Sequence, residues 1–154
     1  MKTIKGNYYA ENLKVGIVVG RFNSFITHSL LEGCLDALER GNVKSEDITQ
    51  VFVPGAYEIP GVAAKMAASE EYDVIIALGA VIRGATTHYD LVSGEVASGI
   101  SAVERDYHMP VIFGVITTEN IEQAIERSGT TAGNHGFGYG QTAIEMVNVY
   151  RQLP

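Results

Sequence analysis

The chain has 154 residues, of which 46% are hydrophobic, and its formal net charge at pH 7 is −7. This length suits one domain with a sizeable core, and the negative charge argues against a nucleic-acid binder, because phosphate contacts need clustered Lys and Arg. No apolar run approaches the roughly 18 residues that span a membrane, and the N-terminus lacks the apolar core of a signal peptide. We therefore expect a cytoplasmic protein with a single domain over residues 1–154, of which residues 1–12 form an N-terminal arm.

Short apolar runs alternate along the chain with longer segments that have apolar residues at helical spacing. The first run, LKVGIVVG, is rich in Val and bounded by Gly, and the helical pattern after it begins at Ser24, a predicted N-cap. The alternation predicts, in chain order, a strand at 13–20, a helix at 24–41, a strand at 48–53, a helix at 59–70, a strand at 73–82, a helix at 88–108, a strand at 110–117, and helices at 119–128 and 141–152.

The predicted strands are apolar throughout and are joined by helices. This arrangement implies a parallel sheet that is covered on both faces. Right-handed crossovers then give an α/β fold, a three-layer αβα sandwich of the flavodoxin-like kind with a four-stranded parallel sheet flanked by helices. Ligands bind such folds at the carboxyl ends of the strands, so the loops that follow the strands are the places to look for a site.

The loops after the first two predicted strands offer an aromatic ring and a carboxylate. Phe22 could stack on a planar heterocycle, or it could pack against the start of the next helix. The sequence around it matches neither the dinucleotide-binding motif nor the P-loop. Glu58, in the segment PGAYEIP, could accept hydrogen bonds from the N–H edge of a uracil, or it could face the dipole of a helix N-terminus. Gly55 and Ala56 are small enough to let the backbone approach a ligand.

The loop after the third strand combines small residues with a histidine. Gly84-Ala85-Thr86 leads into a predicted helix N-terminus, where free backbone N–H groups and the helix dipole favour an anion. His88 lies in the first turn of that helix, and histidine can move protons in either direction near neutral pH. Thr87 and Asp90 resemble a capping box, which is compatible with an anion site.

Four further residues carry weaker signals. Arg127, near the end of the fourth predicted helix, could grip a phosphate with a two-pronged donor, although a lone Arg at a helix end is usually solvated. Cys34, the only cysteine, lies in an amphipathic helical pattern, so we expect it to be a packing residue. His28 and His108 are expected at the surface or at the edge of the core.

Six segments in the same order resemble the lumazine synthase family. GAVIRGATTHYD is the most specific of them, and the resemblance runs from about Leu13 to Gln152 without a large insertion. The segments are Arg21-Phe22-Asn23, PGAYEIP at 54–60, GAVIRGATTHYD at 79–90, Phe113-Gly114-Val115, EQAIER at 122–127 and AIEM at 143–146.

The resemblance implies a role for each segment. His88 is the implied general acid/base. The implied contacts to the pyrimidine ring and the ribityl chain are Phe22, Asn23, Ala56, Tyr57, Glu58, Ala80, Val81, Ile82 and Phe113. The implied phosphate-binding residues are Ala85, Thr86, Arg127 and His135. The resemblance implies no metal and no cofactor, because the substrates themselves carry the reactive groups.

The implied activity is that of a transferase in riboflavin biosynthesis. It condenses 5-amino-6-(D-ribitylamino)uracil with 3,4-dihydroxy-2-butanone 4-phosphate to 6,7-dimethyl-8-ribityllumazine and releases phosphate and water, the penultimate step of the pathway. Family members form pentamers, and many assemble these into an icosahedral shell of sixty subunits, which is the assembly that we expect here. Phe113 is implied to close the site of the adjacent subunit, residues 1–12 to contact a neighbour, and riboflavin synthase is a further candidate partner.

The link after the fourth predicted helix departs from the family pattern. Thr131 and His135 stand where lysines are common, which predicts weaker binding of the sugar phosphate. The segment FGYG at 137–140 replaces an Ala-rich helix start. Because each Gly inside a helix costs up to ~1 kcal/mol relative to Ala, we expect the last helix to begin late, near residue 141.

Two alternatives to an enzyme fit the same fold. One is a carrier that binds lumazine or flavin without turnover, and the other is a shell protein with weakened catalysis. His88 and Arg127 argue against the carrier, because a carrier needs neither an acid/base nor a phosphate clamp. The changes at Thr131 and His135 are the only support for the shell protein.

Overall fold

The four strands form one parallel sheet in a computed structural model that describes residues 1–85, 87–129 and 133–154. The strands are β1 (Val15–Gly20), β2 (Ile48–Val53), β3 (Val74–Ile82) and β4 (Val111–Thr118), and their order in the sheet is β2-β1-β3-β4. β3 pairs with both β1 and β4, and its first eight residues are buried because the sheet is covered on both faces. The predicted four-stranded parallel sheet is therefore confirmed.

Helices cover both faces of this sheet in the described part of the chain. α1 (Ser24–Arg40) and α5 (His135–Tyr150) pack on one face, around Cys34, Leu38 and Ile144. α2 (Ile59–Ala68) and α3 (His88–Tyr107) pack on the other. α4 (Ile121–Arg127) lies at the carboxyl end of β4, on the same face as α1 and α5. The three-layer αβα sandwich is confirmed, and the buried Cys34 is a packing residue as predicted.

The last helix begins at His135, so the prediction that it starts near residue 141 is wrong. Asn134 caps it, because the side-chain oxygen accepts a hydrogen bond from the Gly136 N–H at 2.7 Å. The Asn134 amide nitrogen also donates to the Ser29 carbonyl oxygen at 2.7 Å, which ties the cap to α1. Gly136 and Gly140 face the backbone of α1 so closely that a Cβ atom at either position would collide with it. Close packing of α1 and α5 thus offsets the low helix propensity of glycine.

The caps of two other helices also differ from the sequence-based predictions. The N-cap of α1 is Asn23, whose backbone is left-handed at φ 62°, rather than Ser24. The Asn23 amide instead donates to the Ala80 carbonyl oxygen at 3.4 Å, which links the start of α1 to β3. At α3, the Thr87 side chain makes no capping hydrogen bond, so the predicted capping box is not formed.

The N-terminal residues lie along the end of α5. Asn148 donates to the carbonyl oxygens of Asn7 and Tyr9, and Gln152 donates to that of Lys5 at 2.7 Å. Ala10 is buried against the core. Within the described ranges, no helix combines the length and apolarity needed to cross a membrane.

Candidate active site

A cleft of about 780 Å³ opens at the carboxyl ends of β1, β2 and β3. Its walls come from the three loops that follow these strands and from the first turns of α3. Nine of the predicted site residues line it together: Phe22, Asn23, Ala56, Tyr57, Glu58, Ala80, Val81, Ile82 and His88. The cleft therefore lies at the strand ends, where the sequence predicts a site.

Phe22 presents an open aromatic face at the rim of the cleft. The backbone N–H groups of Arg21 and Phe22 donate to the carbonyl oxygens of Val53 (2.8 Å) and Pro54 (3.0 Å), which fixes this loop against the end of β2. The Phe22 side chain is 72% exposed, which does not fit a side chain that packs against the start of α1. An exposed ring on a fixed backbone is suited to stack on a planar heterocycle.

Glu58 stands at the end of a 3-10 turn, Ala56–Glu58, that leads into α2. Its backbone N–H donates to the Gly55 carbonyl oxygen at 3.3 Å, and its carboxylate makes no capping hydrogen bond to α2. A Cβ atom at position 55 would lie 3.3 Å from a Glu58 carboxylate oxygen, so the glycine leaves room for this side chain beside the loop. The carboxylate is exposed to the cleft and can accept hydrogen bonds from a ligand.

His88 is the first residue of α3, and its exposed side chain lies in the cleft. Gly84 also lines the cleft. Ala85, a predicted phosphate-binding residue, is exposed next to Gly84 but does not line the cleft. Thr86, a predicted phosphate-binding residue, lies outside the described residues. The arrangement places a group able to transfer protons at the N-terminus of a 20-residue helix, where the helix dipole favours a bound anion.

Phe113, Arg127 and His135 do not line this cleft. Phe113 pairs with Ala77 of β3, three residues before Ala80, and its side chain is 43% exposed. Arg127 ends α4, on the face of the sheet opposite to α3. His135 begins α5, where its ring makes an edge contact with Tyr139 at 6.5 Å between centroids.

Arg127 has a buried guanidinium nitrogen, Nη1, with no hydrogen-bond partner among the described residues. Tyr139 lies close to this charge: burial raises the pKa of the Tyr139 phenol, and the Arg127 guanidinium opposes that rise. A buried donor without a partner costs about 1–3 kcal/mol, so this nitrogen needs an acceptor that the described residues do not supply.

A model of the family described as 6,7-dimethyl-8-ribityllumazine synthase matches residues 12–151. The chain belongs to this family. Membership in the lumazine synthase family identifies a transferase family of riboflavin biosynthesis, and the four-stranded αβα sandwich is consistent with its fold. Within the described ranges, no three His, Cys, Asp or Glu side chains lie close enough together to hold a metal ion.

The departures from the lumazine synthase pattern fall at the start of α5. Thr131 lies outside the described residues. His135 is exposed, and the FGYG segment after it is helical, with Tyr139 half-buried beside Arg127. The replacements at 135 and 137–140 therefore leave the helix intact, and Tyr139 adds a phenol near the guanidinium.

Four cleft residues on α3 were missed by the sequence analysis, which stopped at His88. One of them follows His88 directly, and the other three lie three, four and seven positions after it, on the same face of the helix. Helical spacing from the histidine was therefore the available signal for these three. These residues are Tyr89, Leu91, Val92 and Glu95.

Proposed function

We propose that this chain condenses 5-amino-6-(D-ribitylamino)uracil with 3,4-dihydroxy-2-butanone 4-phosphate to 6,7-dimethyl-8-ribityllumazine. The observation that carries the proposal is the convergence, in one cleft, of the Phe22 ring, the Glu58 carboxylate and the His88 imidazole, each from the segment after a different strand. Family membership supports the same assignment. No second function is favoured by a specific feature of the cleft.

The cleft residues have distinct roles in this reaction. The Phe22 ring stacks on the pyrimidine, and the Glu58 carboxylate accepts hydrogen bonds from the N–H edge of the ring. The N-terminus of α3 faces the phosphate of the second substrate. His88 removes and returns protons as the amine attacks the ketone, and a positioned acid/base contributes ~10²–10⁴-fold to such a step.

The substrates themselves supply the reactive groups. The 5-amino group forms a Schiff base with the ketone and releases water, phosphate then leaves, and the second amine closes the ring with loss of another water. Holding the two molecules in position contributes about 7–11 kcal/mol at most to lowering the barrier. The remaining contribution that the chain must make is proton transfer at the edge of the cleft, where His88 lies.

Phe113, Arg127 and His135 act, in this proposal, in the site of a neighbouring copy. All three lie outside the cleft of their own chain. Nη1 of Arg127 has no hydrogen-bond partner among the described residues, so the guanidinium has a donor left for the phosphate of a substrate bound to the neighbouring subunit. The exposed aromatic rings of Tyr8 and Tyr9 support a contact between the N-terminal arm and a neighbour. A ring of five copies, and a shell of sixty, would supply such neighbours.

A steady-state assay tests the proposal. The purified protein is mixed with both substrates, and the absorbance of the lumazine product is followed above the uncatalysed rate. We expect catalysed product, a kcat lowered about 10²-fold in His88→Ala, and a raised sugar-phosphate KM in Arg127→Ala. Arg105→Ala is the control, because this exposed arginine on α3 lies outside the cleft.

The opposite result has a clear meaning. A folded protein that binds ribityl compounds but forms no product above background contradicts the proposed reaction. It would favour the carrier or the shell protein instead, with the altered segment around His135 as the first region to restore.

A further inference from the structure

Arg83, which follows β3, contacts two separate parts of the molecule, the start of α3 and the end of β4. Its Nε lies 2.9 Å from a Glu119 carboxylate oxygen, and its Nη2 lies 3.6 Å from an Asp90 carboxylate oxygen. Its guanidinium carbon lies 4.5 Å from the centroid of the Tyr89 ring. The Arg83 backbone N–H donates to the Thr118 carbonyl oxygen at 2.8 Å.

These contacts bracket the segment that carries Gly84 and His88. Arg83 lies at one end of that segment, and Tyr89 and Asp90 lie at the other, so one guanidinium fastens both ends to each other. The ion pair with Glu119 links them in turn to the residue that follows β4. A planar guanidinium can form such a fork and stack on a ring at the same time.

The ion pairs of Arg83 contribute little to the stability of the whole domain. The Arg83 side chain is 41% exposed, and the carboxylates of Asp90 and Glu119 are more exposed still. Pairs of this kind change the stability of a whole domain very little. Their effect is local, and Gly84, His88 and Tyr89, the residues that they bracket, all line the cleft.

We infer that Arg83 is a positioning residue, which holds the His88 imidazole and the Gly84 backbone at the edge of the cleft. The inference rests on the proposed function for its kinetic consequence. The Arg83 contacts described above join the start of α3 to the end of β4, whereas Phe22 and Glu58 belong to the loops after β1 and β2. The pyrimidine side of the cleft therefore keeps its geometry without Arg83. The sugar phosphate and the proton-transfer step depend on it.

Kinetics of Arg83→Ala test this division. We expect kcat to fall about tenfold and the sugar-phosphate KM to rise about fivefold, while the pyrimidine KM stays within about twofold of the wild type. Arg83→Lys should recover part of the loss, because an ammonium can pair with one carboxylate but cannot form the fork. Arg105→Ala should behave as wild type. In the wild type the Arg105 Nη1 donates to the Ser101 hydroxyl oxygen, one turn earlier in α3, and not to a residue of the cleft.

Amide hydrogen exchange provides a test that does not depend on turnover. In Arg83→Ala the peptide that carries Gly84 and His88 should exchange several-fold faster, while peptides from β3 and from the middle of α3 stay unchanged. Unchanged exchange in that peptide overturns the inference, and so does an equal rise of both KM values. If the wild type shows no turnover, the proposed reaction fails, and the exchange data alone decide whether Arg83 orders the segment.

Discussion

Gly140 of α5 packs so closely against α1 that a Cβ atom at position 140 would lie 2.8 Å from the Cys34 carbonyl oxygen. The same atom would lie 2.8 Å from the Ala37 side chain. Gly136, one turn earlier, has the same relationship to the Leu30 carbonyl. Gly138 lies between them, and a Cβ atom there would meet nothing within 4 Å. Two of the three glycines are therefore required by the contact between helices, and the third is not.

Substitution of these glycines by alanine should have opposite effects on stability. Gly140→Ala should lower the free energy of unfolding by about 1–3 kcal/mol, because the backbone of α1 must move to admit a methyl group. Gly138→Ala should raise it by up to ~1 kcal/mol, because alanine is the better helix former and the position is open. Urea unfolding at a fixed protein concentration measures both. Equal effects at the two positions would contradict the proposed packing constraint.

The sequence predicted the strand ends well because their pattern is local. Uninterrupted apolar runs identify buried parallel strands, and the strand ends then indicate where Phe22, Glu58 and His88 meet. The start of α5 was missed because helix propensity counts only the cost of glycine, whereas its benefit depends on α1, about a hundred residues away in the chain. The sequence could not predict that Arg127 lies apart from the cleft, because no local pattern shows which face of the sheet a short helix covers.

Burial of Cys34 should make stability depend on pH in the alkaline range. Burial raises the pKa of the Cys34 thiol from 9.0 to about 12. The folded protein therefore keeps the thiol protonated at a pH where the unfolded chain loses the proton. The stability contribution is complete below pH 9 and is lost as the pH rises from about 9 to about 12.

Cys34→Ala provides the comparison for this prediction. Between pH 8 and pH 10 the wild type should lose about 1.4 kcal/mol of unfolding free energy more than Cys34→Ala does, since the variant has no thiol to titrate. Urea unfolding at the two pH values gives the difference, and other titrating groups cancel in it. Parallel pH profiles for the two proteins would show that the thiol is not protected by burial.

Phe22 should contribute to substrate binding and not to folding. Phe22→Ala should raise the KM of the ribitylaminouracil about five- to tenfold, since a ring–ring contact of this kind is worth ≈ 0.5–1.5 kcal/mol beyond the area it buries. Its unfolding free energy should stay within about 0.5 kcal/mol of the wild type, because the ring is already open to solvent.

Phe25 is the matched control for Phe22. Its side chain is 71% exposed, almost the same as the 72% of Phe22, but it does not line the cleft. Phe25→Ala should leave both KM values unchanged. A similar rise of the pyrimidine KM in the two variants would mean that the loss of Phe22 acts through a general change at the start of α1.

Mixed assemblies can show whether His88 and Arg127 of different copies form one site. His88→Ala and Arg127→Ala are each expected to be weak alone, but assemblies that contain both chains include sites where an intact His88 meets the intact Arg127 of a neighbour. For random mixing in a ring with head-to-tail contacts, about a quarter of the sites combine the two wild-type side chains. Co-expressed variants should therefore reach about a quarter of the wild-type rate per site.

A pair of variants from the same cleft provides the control for this experiment. Glu58 and His88 line one cleft within a single chain, so a mixture of Glu58→Ala and His88→Ala chains has no site with more wild-type residues than its parent chains provide. Each cleft in this mixture keeps either an intact Glu58 or an intact His88, but never both. The rate of the mixture should therefore equal the mean of the rates of its two parent variants. If the mixture of His88→Ala and Arg127→Ala chains also gives only the mean rate of its own two parents, Arg127 acts within its own chain or not at all. The proposed role for a neighbouring copy is then wrong.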